Sequence, residues 1–336
     1  MNVSSFANSE CLSMRVAVIL VAHGEAEGAG FFENYSMIRH TLDHAAEVMA
    51  LPGTVRLVAS VVGGMKNCVA FRVSGYRSPQ NRITRQQGAL LKEHLRIGCD
   101  GLHAEYEVYS AFHATPPFIS DILRDTRSHD ARLLVSMSPV DSRMTAGTLH
   151  LLAEKCRGTV DGPAPVVVDG FWGDSGLRRV YVNHVFRYGR NDPGAALLLA
   201  FHGTIIRDAR GCEPGFHTGA DEIGSMACAL RNAVLADPRN HYARVEVTHY
   251  NHDIGGTWTR PAFPASLNAL GDAGVDRADV FSCGYFSDGT ETLLYAGRHA
   301  ERGPVGDVHF LPCVNDSADF IAHLAARILD TVDAGG

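Results

Sequence analysis

Short apolar runs alternate with longer mixed segments along this chain of 336 residues. The runs are too continuous to alternate between polar and apolar positions, which is typical of parallel strands covered on both faces. We predict seven strands, at residues 16–22, 55–62, 133–137, 166–169, 195–201, 244–248 and 278–282. The glycine pairs Gly63-Gly64 and Gly255-Gly256 are interpreted as turns.

Apolar residues at helical spacing fill the segments between the runs. We predict helices at residues 84–95, 118–127, 145–155, 219–236, 263–271 and 317–332. Strands that alternate with helices indicate an α/β protein with parallel sheets.

One pattern occurs twice. VAVILVAHG (16–24) and ALLLAFHG (196–203) both read as a buried strand that ends in His-Gly. Open parallel sheets bind ligands beyond the carboxyl ends of their strands, so we place His23 and His202 at a cleft. The repeat predicts two lobes, residues 14–190 and 191–336, after a disordered tail at 1–13. The last helix is expected to fold back onto the first lobe.

Composition narrows the class of protein. Apolar residues make up 46% and charged residues 20% of the chain, which is ordinary for a globular protein. A net charge of −7 argues against a nucleic-acid partner. The eight cysteines form no CxxC pair, which indicates reduced thiols of a cytoplasmic protein and argues against an iron–sulfur cluster. The first apolar run is too short for a membrane span.

The chain carries none of the common nucleotide-binding or hydrolase motifs, so nucleotide chemistry is unsupported. Its richest polar segment is CGYFSDGTETLLY (283–295), where a strand runs into a loop and a helix begins near Thr290 or Glu291. A carboxylate there is favoured in its charged form by the helix N-terminus. A lone glutamate in such a place is more often a helix cap, and a lone histidine such as His202 is more often structural.

Taken together, these segments resemble the ferrochelatase family. LLAFHG (198–203) is similar to the strand that ends in the family's histidine, and WTRP (258–261) is similar to its W-x-x-P element. VFSCGYFSDGTETL (280–293) is similar to its G-F-x-x-D-x-x-E-T-L segment. Further likeness is found in YRSPQNRITRQQGALLKEHL (76–95) and in Pro312, Asn315 and Phe320, so the resemblance spans about residues 14–332.

The resemblance implies two flavodoxin-like, chelatase-type lobes that insert a metal into a tetrapyrrole held between them, most simply Fe²⁺ into a porphyrin. It implies His202 as the general base and Glu291 as the carboxylate that accepts the proton and guides the metal. His23 joins these two as a possible metal ligand. The expected substrate-binding residues are His23, Arg39, Ser78, Trp258, Tyr285 and Ser287. No cofactor beyond the metal substrate is expected, and the protein is expected to be a monomer or a homodimer.

Four departures from the family pattern leave alternatives open. His23 replaces a Tyr or Met, Val140 replaces a histidine, and Tyr295 stands near the place of a further acid. THYNHD (248–253) replaces a Gln-Ser-Arg-type element. Its His249, His252 and Asp253 form a weak metal signal, and a solvated loop is the favoured interpretation. The alternatives are a different metal or ring, and a non-catalytic carrier of a tetrapyrrole or metal.

Overall fold

The computed structural model describes residues 13–49, 51–98, 104–158, 162–252 and 254–335. The predicted tail lies outside these ranges, apart from residue 13. The strands of the described chain are β1 (Met14–Ala22), β2 (Ala104–Phe112), β3 (Ala131–Ser136), β4 (Val166–Val168), β5 (Ala196–His202), β6 (Ile205–Asp208), β7 (Arg244–Tyr250), β8 (Gly256–Trp258), β9 (Arg277–Phe281) and β10 (Asp307–Leu311).

The helices surround these strands. They are α1 (Phe31–Ala45), α2 (Gly53–Ser74), α3 (Gln80–Gly98), α4 (Ile119–Asp125), α5 (Ala146–Cys156), α6 (Ser175–Tyr188), α7 (Ala220–Ala236), α8 (Phe263–Asp272), α9 (Ala296–Glu301) and α10 (Ala318–Gly335). A 3₁₀ turn at Phe171–Gly173 precedes α6, and a π-helix at Thr290–Tyr295 leads into α9. Across the described residues, no helix has both the length and the apolar character needed to cross a bilayer.

Two parallel sheets form the two lobes. The first has the strand order β2-β1-β3-β4 and the second β10-β9-β5-β7. When the strands of each sheet are renumbered 1 to 4 in chain order, both sheets have the order 2-1-3-4, the second being read from β7 to β10. The first strand of each lobe is therefore a central strand of its sheet. The predicted α/β class with two lobes of parallel strands is confirmed. A small antiparallel pair, β6 and β8, follows β5 and borders its carboxyl end.

The lobes share one apolar core. It extends from β1 in the first sheet to β5 in the second, through apolar side chains of α6 and α10. Helix α10 packs on both α3 and α6. At the junction, the fully buried Asp279 carboxylate accepts hydrogen bonds from Arg190 Nε (2.9 Å) and the Tyr242 hydroxyl (2.7 Å). The lobe limits of 14–190 and 191–336 remain predictions.

The strand predicted at residues 55–62 is wrong, because the structure places these residues in α2. The valine-rich run resembled a buried strand, yet Val55, Val58 and Val62 are exposed. The buried residues of α2 recur at helical spacing: Ser60, Gly64, Asn67, Cys68 and Phe71.

Gly63 and Gly64 are not turn residues either, since both lie within α2. A side chain added at Gly64 would place its Cβ 3.0 Å from the Cα of Tyr35 on α1. The glycine therefore allows the two helix backbones to approach closely. Strands β2, β6, β8 and β10 were not predicted.

We expect Gly64→Ala to lower the free energy of unfolding by about 1 kcal/mol, because the Tyr35 backbone leaves no room for a methyl group. Gly224→Ala is the matched control, since Gly224 lies within α7 with open space at its Cβ position. That change should raise stability by about 0.5–1 kcal/mol through helix propensity. Urea denaturation of both variants measures the difference, and equal stabilisation by both would contradict the close packing of α1 and α2.

Candidate active site

Strand β5 delivers His202 to the edge of the second sheet. Residues Ala196 to Phe201 are completely buried, whereas the His202 side chain is 46% exposed. The loop after β9 lies against this strand end, because a Cβ at Gly284 would be only 2.6 Å from the His202 backbone nitrogen. A glycine at this position thus brings the loop that precedes Glu291 close to His202.

Glu291 lies in the first turn of the π-helix, and its Oε2 is 3.8 Å from Nε2 of His202. π-Helical segments are rare and are found frequently at functional sites. The Tyr285 hydroxyl donates a hydrogen bond to the same Oε2. Burial, followed by the Glu291 charge, raises the pKa of the Tyr285 phenol, so the phenol stays protonated and remains a donor.

His252 joins this pair from the loop after β7. Its Nε2 is 3.7 Å from Oε1 of Glu291, and its ring centroid is 5.3 Å from that of His202. One ligand atom from each of the three residues lies within 4.8 Å of the others. Two imidazoles and a carboxylate are ligands suited to Fe, Co, Ni or Zn. We call His202, His252 and Glu291 the donor triad.

Trp258 supports the loop that carries His252. Its Nε1 donates to the Ile254 carbonyl (2.9 Å), and its ring meets the His252 ring edge-on at 5.5 Å. The sequence favoured a solvated loop here, and the structure differs for His249. This residue is buried in β7, with Nδ1 3.1 Å from the Pro261 carbonyl. His252 is exposed to the cleft, and Asp253 lies outside the described residues.

His23 follows β1 in the first lobe, and its Nε2 is 3.2 Å from the Thr41 hydroxyl of α1. The His23 ring is exposed to water on one side. Desolvation by the surrounding protein, followed by the nearby His44 and His202, lowers the pKa of His23 to about 4. The Glu291 carboxylate acts in the opposite direction on the His23 pKa. His23 is therefore neutral at pH 7 and faces the charges of the donor triad from the other lobe.

The remaining predicted residues divide into two groups. The rings of Trp258 and Tyr285 have centroids 6.4 and 6.1 Å from the His202 ring, so both border the triad. Ser78 is buried and donates to Glu25, Ser287 is buried in the loop before the π-helix, and Arg39 pairs with Asp43 at 3.0 Å. Ser78 and Arg39 thus each donate a hydrogen bond to one of the protein's own carboxylates. His252 is the residue that sequence reasoning underrated, and its position in the THYNHD segment was the available signal.

Two of the departures have structural roles. The Tyr295 hydroxyl donates to Asn67 Oδ1 (3.1 Å) and so joins the π-helix to α2 of the first lobe. Val140 packs against the shared apolar core.

Comparison with known proteins agrees with this architecture. The sequence model of the ferrochelatase family matches residues 15–332. This chain belongs to the ferrochelatase family. Ferrochelatases of Neisseria meningitidis serogroups A, B and C are 26% identical over 224 residues, which are 62% of this chain and 62% of each relative. The match therefore spans less than two thirds of those family members.

Among solved structures, SirB from Bacillus subtilis with Fe³⁺ superposes with a TM-score of 0.52. The superposition covers 95% of this chain and 96% of SirB, at 10% sequence identity. At that identity the likeness concerns the fold, and it agrees with the two-lobed arrangement found for this family member.

His113 lies beside the site, and its environment predicts that the free energy of unfolding depends on pH. His113 stacks on His44 with 4.7 Å between ring centroids, and burial, followed by the charges of His44 and His23, lowers the His113 pKa to about 3. Below pH 6.5 the unfolded chain binds a proton here that the folded chain does not, so stability falls as the pH falls towards 3.

Between pH 7.5 and 5.0 this loss is about 2 kcal/mol, and His113→Gln should remove it. The exposed His241 provides the control, since His241→Gln should leave the loss as in the unmodified protein. Urea denaturation at both pH values gives the comparison. Equal pH dependence in the two variants would contradict a neutral His113 in the folded protein.

Proposed function

We propose that this protein inserts a divalent metal, most simply Fe²⁺, into a porphyrin-type tetrapyrrole. The observation that carries the proposal is the donor triad at the carboxyl end of the second sheet, with His23 facing it from the first lobe. Membership of the ferrochelatase family supports the reaction class, as do the names of the Neisseria relatives. The fold neighbour SirB, solved with Fe³⁺, supports a metal as the second substrate.

The residue types suit the chemistry of insertion. Two pyrrole N–H protons must leave the ring as the metal enters, and imidazole is a base suited to neutral pH. His202 takes the first proton and passes it to Glu291, which stabilises the imidazolium and relays the proton to water in the cleft, so that His202 can then take the second proton. Tyr285 holds Oε2 of Glu291 through its hydroxyl. The Glu291 carboxylate therefore keeps one orientation towards His202.

The metal reaches the ring from the second lobe. The triad replaces part of the hydration shell of the ion while it leaves coordination positions open towards the cleft, because His202 and His252 are 46% and 48% exposed. His23 then meets the metal from the opposite face of the ring. Trp258 and Tyr285 border the ring. Arg39 lies where the family pattern places a basic residue, and it would pair with the acidic substituents of the ring.

A non-catalytic carrier of a metallated tetrapyrrole is the second candidate. It is favoured by the neutral His23, because two imidazoles on opposite faces would hold a metallated ring firmly. Insertion of another metal, or insertion into another ring, is a further alternative. It is suggested by His252 and Val140, because other family members carry different residues at these positions. We retain a cytoplasmic location and a monomer or homodimer as predictions.

Turnover separates the two functions. A chelatase converts free porphyrin and Fe²⁺ into the metallated ring repeatedly, whereas a carrier binds one finished ring per site. We expect His202→Ala to lower the insertion rate by about 10²–10⁴-fold, the usual size of a general-base contribution. Glu291→Gln should lower the rate and change its pH dependence.

Anaerobic absorption spectroscopy follows both variants, with His241→Ala as the control for a histidine outside the cleft. Stoichiometric binding without turnover by the unmodified protein would overturn the chelatase. Wild-type rates in His202→Ala would remove His202 from the mechanism.

Metal binding without a ring tests the role of His252. We expect His252→Ala to weaken Co²⁺ binding to the metal-free protein by at least 10-fold, because one of three donors is lost. His23→Met should leave Co²⁺ affinity unchanged, yet it should weaken binding of the metallated ring and shift its absorption spectrum. Titration of both variants with Co²⁺ and with a cobalt porphyrin distinguishes the two walls of the cleft. Unchanged Co²⁺ affinity in His252→Ala would contradict the triad.

A further inference from the structure

Glu25 reaches from the first lobe to the second. It follows β1 two residues after His23, and one of its oxygens, Oε2, accepts three hydrogen bonds. The Ser78 hydroxyl donates one, and Thr290 donates two, from its backbone nitrogen (2.9 Å) and its hydroxyl (2.8 Å). A single carboxylate oxygen thus joins the end of β1 and the start of α3 to the π-helix.

Thr290 is the first residue of the π-helix and immediately precedes Glu291. The first N–H groups of a helix lack partners inside it. Glu25 supplies an acceptor for one of them from the other lobe, and burial raises the pKa of its carboxyl group. The contact is close, because a Cβ at Gly289 would lie 2.9 Å from Oε1 of Glu25. The backbone just before Glu291 therefore has little freedom to shift.

We propose that Glu25 is a positioning residue for Glu291. By holding Thr290 against the first lobe, it sets the separation between Glu291 and His23 across the cleft, and it fixes the carboxylate of the donor triad relative to His202. The proposal rests on the proposed function for its consequence in catalysis. The structural part of the proposal, which is the effect of Glu25 on the donor triad, does not depend on the proposed function.

Other bonds between the lobes hold the same segment, so loss of Glu25 should leave the fold intact. Gln87 Nε2 donates to the carbonyls of Phe286 (3.0 Å) and Asn315 (2.8 Å). The Tyr295 hydroxyl donates to Asn67 at the far end of the π-helix. Tyr295→Phe is therefore a matched control, because it removes one bond between the lobes on the same helix and leaves the hydrogen bonds between Glu25 and Thr290 in place.

The experiment compares Glu25→Ala, Glu25→Gln and Tyr295→Phe in the full chain. Thermal unfolding shows that each variant is folded. We expect Glu25→Ala to weaken Co²⁺ binding to the metal-free protein by at least 10-fold, and to raise KM for the metal and lower kcat. KM for a dicarboxylic porphyrin should change by less than about 3-fold. Glu25→Gln keeps an oxygen that can accept the same bonds, so it should restore most of the Co²⁺ affinity.

Three outcomes would overturn the proposal: unchanged Co²⁺ affinity in Glu25→Ala, an equal loss in Tyr295→Phe, or a loss in Glu25→Gln as deep as in Glu25→Ala. Failure of the proposed function gives a different result. In that case the unmodified protein shows no turnover with Fe²⁺ and porphyrin, while Glu25→Ala still weakens Co²⁺ binding, which supports the positioning role. Turnover by the unmodified protein that Glu25→Ala leaves unaffected counts against the positioning role alone.

Discussion

The central strands β1 and β5 are covered on both faces, and this burial decides where polar chemistry can occur in the molecule. Val16 to Leu20 and Ala196 to Phe201 are completely removed from water. An unpaired polar group along either strand would cost free energy, so polar side chains are confined to the strand ends. Since both sheets have the same strand order, these ends are the corresponding points of the two lobes. His23 and His202 occupy them.

With the strands fixed, the loops at the carboxyl ends carry the chemistry, and their own polar bonds hold them. Asp288 and Asn315 pair reciprocally: Asn315 Nδ2 donates to the Asp288 carboxylate (2.7 Å), and the Asp288 backbone nitrogen donates to Asn315 Oδ1 (2.9 Å). The pair joins the loop after β9 to the loop after β10. A buried carboxylate that is fully hydrogen-bonded rigidifies its surroundings. The π-helix that follows therefore starts from a fixed point.

The features that could be predicted from the sequence are those with a local signature. The continuous apolar runs at β1 and β5, the His-Gly ends and the helix start at Thr290 each depend on neighbouring residues. The run at residues 55–62 was misread because exposed valines and buried strand valines look alike in a sequence. The packing of Gly64 against Tyr35 helps to distinguish them, and that contact joins two separate helices, which a local sequence pattern does not record.

Prediction of the site from the sequence is also limited to residues with a local signature. Pattern and family resemblance together singled out His202 and Glu291. The role of His252 depends on distances between a strand end, a loop and the π-helix, which no sequence spacing encodes. Ser78 illustrates the converse, since its place in a family segment suggested ligand contact while its hydroxyl donates to Glu25. Contacts between distant parts of the chain decide both cases, and short motifs hold no information about them.

The exposure of the donor triad bears on what kind of metal site it can be. A structural metal site is closed, with four protein ligands that exclude water and keep the ion. Here three donors are gathered, and two of them are about half exposed towards the cleft. An ion bound there keeps open positions, and its ligands can be exchanged one at a time for ring nitrogens. Partial coordination on one wall and a neutral imidazole on the other are compatible with the metal transfer that we propose. A site that completed the coordination shell would hold the ion and prevent its release to a ring.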